Sequence, residues 1–214
     1  QFFDKSISFE EFISDDDNKI IGRLSSQKVG PTIARDIKQA AIVAVIFALI
    51  AIFAYIAFRF KRWQFGLGAV SGLFHDSMII ISLYSIFYGI LPFSLEVDQS
   101  FIAAILTIIG YSVNNTVVIF DRIRENMTLH PKWEMKLTIN DAVSSTLGRT
   151  INTAGTTIAV MLAIFIFGGE VIRGFSFALL VGIMVGTYSS WFIANPIAYD
   201  MIMFKKAPKE PVKK

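Results

Sequence analysis

The 214-residue sequence contains no cysteine and only two histidines, His75 and His130. The first absence excludes disulfides, thiolate chemistry and cysteine-based metal sites, and the second leaves too few imidazoles for a histidine-rich metal centre. Charge is scarce too: Asp, Glu, Lys and Arg make up 17% of the chain against 54% hydrophobic residues, with a mean hydropathy of +0.57. A chain of this composition cannot hide its apolar side chains in a water-soluble globule. What it has in abundance is long apolar runs joined by short polar loops, the pattern of a polytopic helical membrane protein. The net charge of +3 and the pI near 9.1 arise from Lys and Arg gathered at span ends, where they set orientation, so they do not point to nucleic acid. No motif asks for a cofactor or a bound metal.

Residues 1–36 are mixed in character, with the alternating Ser6-Ile7-Ser8-Phe9, an acidic Asp15-Asp16-Asp17 turn and a strand-like Ile20-Ile21-Gly22-Arg23-Leu24. They read as the end of an extracytoplasmic α+β domain and its linker. Val29-Gly30-Pro31 stops extended structure, and the chain then enters a transmembrane domain over 37–204, with spans at about 40–60, 65–88, 101–120, 149–167 and 175–199. Met135 to Leu147 reads as an amphipathic helix near the interface. Gly68 with Gly72, and Gly182 with Gly186, stand one turn apart where close helix packing is expected, and Pro196 should loosen the last turn of its span. Lys and Arg gather after the first and third spans and in the basic tail 205–214, while the loop 91–100 has none. The residues before about 37 are therefore expected outside and the C-terminus in the cytoplasm. The chain opens with Gln1 and shows no signal-type segment before residue 39, so it reads as a piece of a longer protein.

Three polar features lie in or beside the apolar spans. His75-Asp76 sits mid-span, where an ionisable pair must be satisfied by neighbouring helices or take part in ion transfer. A His-Asp doublet also occurs in metal phosphohydrolases, but the further ligands such a site needs are missing. On the third span Tyr111 and Asn115 are expected to share a face with Leu106-Thr107-Ile108, with Ser112 and Thr116 beside them, and Asn114 is a secondary candidate. This face can be polar glue between helices or a transport path, and Asn115 cannot exchange a proton near neutral pH. Arg149 opens a face with Asn152, Thr153 and Thr156; within the bilayer it needs an acidic partner or water, and near its edge it can snorkel. Asp121, Arg122, Arg124 and Glu125 read as an interfacial charge cluster. No nucleophile with a base and no full metal set can be assembled, which leaves little room for an intramembrane hydrolase.

Several motifs in order resemble the SecF family: Val29-Gly30-Pro31, His75-Asp76, the run from Gly110 to Asn126 (GYSVNNTVVIFDRIREN), Leu147-Gly148-Arg149-Thr150 with Ala154-Gly155-Thr156-Thr157, and Phe167-Gly168-Gly169-Glu170 through Gly174-Phe175-Ser176. The resemblance covers nearly everything after about residue 29. It implies the C-terminal part of SecF, or of the SecF half of a fused SecDF: five helices of a resistance-nodulation-division type bundle in the bacterial cytoplasmic membrane, without enzymatic activity. The implied partners are SecD, the SecYEG channel with its SecA motor, YajC, YidC, the translocating preprotein and the lipid bilayer. The implied work is preprotein export driven by the proton-motive force, or by sodium in some organisms, through an aspartate in the third span and an arginine in the fourth. Arg149 matches the arginine, but Asn115 stands where the family pattern has the aspartate, and Asp121 is a separate position. A chain impaired in proton coupling is therefore expected, either an engineered trap or a variant that couples elsewhere. Its alternatives are a structural subunit without ion flux and a lipid or small-molecule exporter of the same superfamily.

Overall fold

The computed structural model describes the backbone of residues 31–206 and the side chains of residues 39–204. The chain divides into two compact units, Gln1–Gln39 and Ala40–Lys214. The expected end of an α+β domain falls on residues 1–30, outside the described residues, as do the last eight residues of the basic tail. What is described is helical: α1 (Pro31–Phe60), α2 (Trp63–Phe87), α3 (Gln99–Leu129), α4 (Met135–Phe167), α5 (Glu170–Ser189), a π-helical turn (Ser190–Ala194) and α6 (Asn195–Lys206). Five segments are long and apolar enough to cross a membrane, the last formed by α5, the π turn and α6 together. Helices are the expected choice, because every backbone N–H and C=O in hydrocarbon must be satisfied within the segment. The all-α membrane bundle expected from composition is the fold observed.

The centre of the bundle is α3, packed on α5 and α4, with α2 set against α5, the π turn and α6. Glycine makes that approach possible. A Cβ on Gly68 would strike the carbonyl oxygen of Ala194, and one on Gly182 would strike the side chain of Ile108. α1 joins chiefly through one end, where Ile56 and Phe60 are buried with Phe65 and Phe120, the Phe65 and Phe120 rings 4.8 Å apart. A second apolar cluster, around Tyr84, Phe101, Ile105 and Ala178, fills the other end of the bundle. There Tyr84 Oη donates to the carbonyl oxygen of Gly174 at 2.6 Å. Between the two clusters lies a polar layer.

Two elements depart from the expected boundaries. The amphipathic stretch Met135 to Leu147 and the span expected from Arg149 form one continuous helix of 33 residues. A stripe of small residues at every fourth position, Thr138, Ala142, Thr146, Thr150 and Ala154, stays buried along it, so nothing breaks the helix between the two stretches. The last span continues past Tyr199 to Lys206, and its irregularity precedes Pro196. Proline lacks an N–H and its ring crowds the carbonyl four residues back, a conflict that a wider turn relieves. Asn195 Nδ2 then donates to the Ser190 carbonyl oxygen at 2.6 Å, satisfying a group the wider turn frees.

Candidate functional site

Asp76 stands one turn beyond Gly72 on α2, where α2, α3 and α5 meet. Its side chain is sealed from solvent, the whole residue being 0% exposed. Gly186 of α5 leaves the room: a Cβ there would lie 2.9 Å from Ser112 Cβ and 3.5 Å from Asp76 Oδ2. From α3, Ser112 Oγ donates to Asp76 Oδ2 at 2.6 Å. Beside it, His75 Nδ1 is 3.2 Å from Asp76 Oδ1, and the His75 side chain remains 31% exposed. Depth accounts for the meeting. Asp76 is eleven residues from the end of α2 at Phe87, and Ser112 is eleven residues beyond Phe101 of α3. At about 1.5 Å per residue both lie roughly 16 Å from the same end of the bundle, near the middle of a hydrocarbon layer about 30 Å thick.

Asn115 is on the same face of α3 one turn further on, 4% exposed, and its Nδ2 has no hydrogen-bond partner among the described residues. Tyr111 flanks this face with its hydroxyl buried and likewise without a partner. The face expected to carry Tyr111, Asn115 and Leu106-Thr107-Ile108 is therefore rotated. Its buried row is Ile108, Ser112, Asn115, Thr116 and Ile119, while Thr107 is exposed and back-bonds to the Ala103 carbonyl oxygen. The cause is local: Ser112, not Tyr111, is small enough to lie against Gly186 of α5. Asn114 is exposed and lines a groove of about 430 Å³ with Ala51, Ile52, Tyr55, Val113 and Val117.

Arg149 is exposed on α4, and its guanidinium makes no hydrogen bond or ion pair among the described residues. Asn152, Thr153 and Thr156 are exposed beside it, the threonines satisfied by carbonyl oxygens of their own helix. Asn115 turns inward and Arg149 outward, so within this chain the two do not form a joined site. At the end of the bundle, Asp121 pairs with Arg59 at 3.3 Å, and Arg122 bonds Glu125 at 2.8 Å and Ser145 Oγ at 3.2 Å. Asn126, which the sequence did not single out, bridges to the Thr138 carbonyl oxygen and to Asp141 Oδ2 at 2.8 Å, fixing the α3–α4 hairpin. His130 stacks on Trp133 at 3.9 Å. Among the described residues no group of three His, Cys, Asp or Glu could hold a metal.

Sequence reasoning missed two parts of this arrangement, Ser112 as the partner of Asp76 and Gly186 as the space for both. The only available signal was the equal distance of Asp76 and Ser112 from their helix ends.

Comparison with known proteins supplies the remaining context. The family described as "Protein export membrane protein SecD/SecF, C-terminal" matches residues 10–204. The protein translocase subunit SecF of Rhodothermus marinus is 54% identical over 173 residues, 81% of this chain and 56% of that protein. SecF of Cereibacter sphaeroides is 39% identical over 189 residues, 88% of this chain and 56% of its own length. The chain thus spans a little over half the length of these relatives. The crystal structure of SecDF from Thermus thermophilus, a translocon-associated membrane protein, superimposes with a TM-score of 0.72 at 38% identity, covering 84% of this chain and 24% of that one. With the match extending from residue 10 to residue 204 and the fold shared at that identity, the chain belongs to the SecF family of protein-export membrane proteins.

Proposed function

We propose that this chain is the membrane part of an accessory subunit of the Sec translocon, using a transmembrane ion gradient to assist preprotein export and doing no covalent chemistry. The observation that carries the reading is its 54% identity to a protein translocase subunit across most of its length. Residues 1–36 would belong to an extracytoplasmic domain, 37–204 to the bilayer of the bacterial cytoplasmic membrane and 205–214 to a cytoplasmic tail, an orientation supported by the Lys and Arg at one end of the bundle. The exposed polar strip of Arg149, Asn152, Thr153 and Thr156 supports a second membrane chain, SecD or a SecD half, lying against α4, because lipid would leave the Arg149 guanidinium and the Asn152 amide poorly solvated. SecYEG, YajC and YidC are proposed partners by family alone.

Position 115 carries the functional peculiarity. An amide holds no exchangeable charge, so coupling through that position is impaired. In vesicles containing the full-length protein with SecD and SecYEG, Asn115→Asp should raise proton-gradient-dependent export severalfold. Equal export by the unsubstituted protein would remove the claim of impairment. One observation favours a second reading, a structural subunit without ion flux: the buried face of α3 is uncharged throughout. That reading predicts no proton movement with either residue at 115, and copurification without SecD would point to a lipid or small-molecule exporter instead.

A further inference from the structure

We infer that in this chain the coupling proton is carried by Asp76, delivered through His75 and held in register by Ser112, one helix away from the neutral Asn115. The inference rests on the ion-coupled reading above and names the group that serves it. Three observations converge on it.

First, Asp76 is the only buried carboxylate among the described residues, and His75, next to it on its own helix, is the one group that could carry a compensating charge. The part of α3 from Phe101 to Phe120, the part of α5 from Gly174 to Ser189 and the π turn contain no Asp, Glu, Lys, Arg or His. Ser112 and Gly186 are what those helices present to it. The titratable groups in the neighbourhood are His75 and, two turns away on α2, Tyr84, with Tyr111 of α3 and the exposed Tyr188 of α5 on the adjoining helices. A carboxylate at that depth needs a hydrogen-bond donor or a proton partner, and Ser112 and His75 are the groups within reach of it.

Second, Ser112 behaves unlike the other buried hydroxyls. Ser77, Thr116, Thr146, Thr150, Ser176 and Thr187 all donate to a carbonyl oxygen four residues back in their own helix, the usual way to hide a hydroxyl in hydrocarbon. Ser112 instead leaves its helix to reach Asp76 at 2.6 Å.

Third, there is a proton-exchange partner. The carboxylate is covered within this chain, while His75, 3.2 Å away through Nδ1, has 31% of its side chain uncovered by this chain. In the transfer step the Nδ1–H bond of the His75 imidazolium breaks as an O–H bond forms on Asp76 Oδ1. The imidazolium becomes neutral imidazole and the carboxylate becomes the acid, so an ion pair turns into a neutral pair. Asp76 Oδ1–H then donates to the vacated Nδ1, Nε2 keeping its own proton; the reverse transfer re-forms the carboxylate and the imidazolium, which can then give up its Nε2 proton on the uncovered side. Ser112 donates to Oδ2 in both states, so it fixes the rotamer without opposing the transfer. Ser112 is a positioning residue.

The test uses the full-length protein with its membrane partner in phospholipid vesicles. It measures proton flux under an imposed pH gradient and the infrared carbonyl band of a protonated carboxylic acid across a pH series. Asp76→Asn should reduce flux to that of empty vesicles and remove the band, with copurification and thermal unfolding unchanged. Ser112→Ala should shift the pH midpoint of the band, and Asp76→Glu should retain the band and part of the flux. Flux and band in Asp76→Asn within twofold of the unsubstituted protein overturn the inference. So does a band midpoint unmoved by Ser112→Ala, which remains decisive if Asp76→Asn fails to fold. If the unsubstituted protein conducts nothing and Asn115→Asp restores flux, Asp76 is excluded while the ion-coupled reading stands; if neither conducts, that reading falls as well.

Discussion

A buried amide whose nitrogen finds no partner costs free energy that an apolar group of similar shape would not, and Asn115 is such a residue within this chain. Asn115→Leu should therefore leave thermal unfolding of the isolated chain unchanged or raise its midpoint, whereas Asn115→Asp should lower it, since a carboxylate there is buried without a cation. A clear loss in the leucine variant would show that the amide is engaged. Asn195 is the contrasting case, because its Nδ2 is used. Asn195→Ala leaves the Ser190 carbonyl oxygen buried without that donor and should cost about 1–3 kcal/mol, read from chemical denaturation in detergent. The sequence marked Asn115 as a polar group in apolar surroundings and did not single out Asn195, and it could not show that Asn115 Nδ2 is left free while Asn195 Nδ2 is used and its Oδ1 is not. That difference lies in which neighbour arrives across the gap, and for Asn195 it depends on a π turn that no residue pattern announced.

At the scale of elements, the glycines divide by what faces them. Gly68 and Gly182 lie where another helix allows no Cβ, while nothing lies within 4 Å of a Cβ placed on Gly155 or Gly110. Gly182→Ala and Gly68→Ala should each destabilise the bundle by about 1–3 kcal/mol through overpacking, Gly68→Ala more, since it meets backbone rather than a movable side chain. Gly155→Ala should stabilise the isolated helix by about 0.5–1 kcal/mol, because alanine loses less backbone freedom. Equal effects at Gly155 and Gly68 would contradict the packing. Spacing made the Gly68/Gly72 and Gly182/Gly186 pairs legible as close-packing sites, since one turn sets both residues of a pair on one face. The length of α4 was not legible. Polar residues between Thr138 and Thr150 resemble an interfacial helix until it is seen that threonine and alanine hold every fourth position, with the hydroxyls of Thr146 and Thr150 returned to their own backbone.

For the whole molecule, hydropathy was enough to reveal the bundle, because apolar length is a property of each segment alone. The neighbours of each helix were not readable, since all faces of a membrane span are apolar enough to meet either lipid or protein. α1 and α4 show the consequence. Both are largely uncovered in this chain, yet α1 exposes Phe47, Ile50 and Phe58, which lipid solvates well, whereas α4 exposes Asn152, Thr153 and Thr156. If a partner chain covers α4 as proposed, lipid and partner would divide the surface by chemistry, and single cysteines placed on α1 and α4 map the division. Spin labels attached after Asn152→Cys and Thr156→Cys should lose collisional access to oxygen severalfold when the full-length protein assembles with SecD. A label attached after Phe47→Cys should keep it, because oxygen concentrates in the hydrocarbon that α1 continues to face. If all three labels remain equally accessible in the assembled complex, the polar strip of α4 is not a protein-facing surface. Its hydroxyls would then be sufficiently satisfied by their own backbone, and Arg149 would be left to snorkel to the interface.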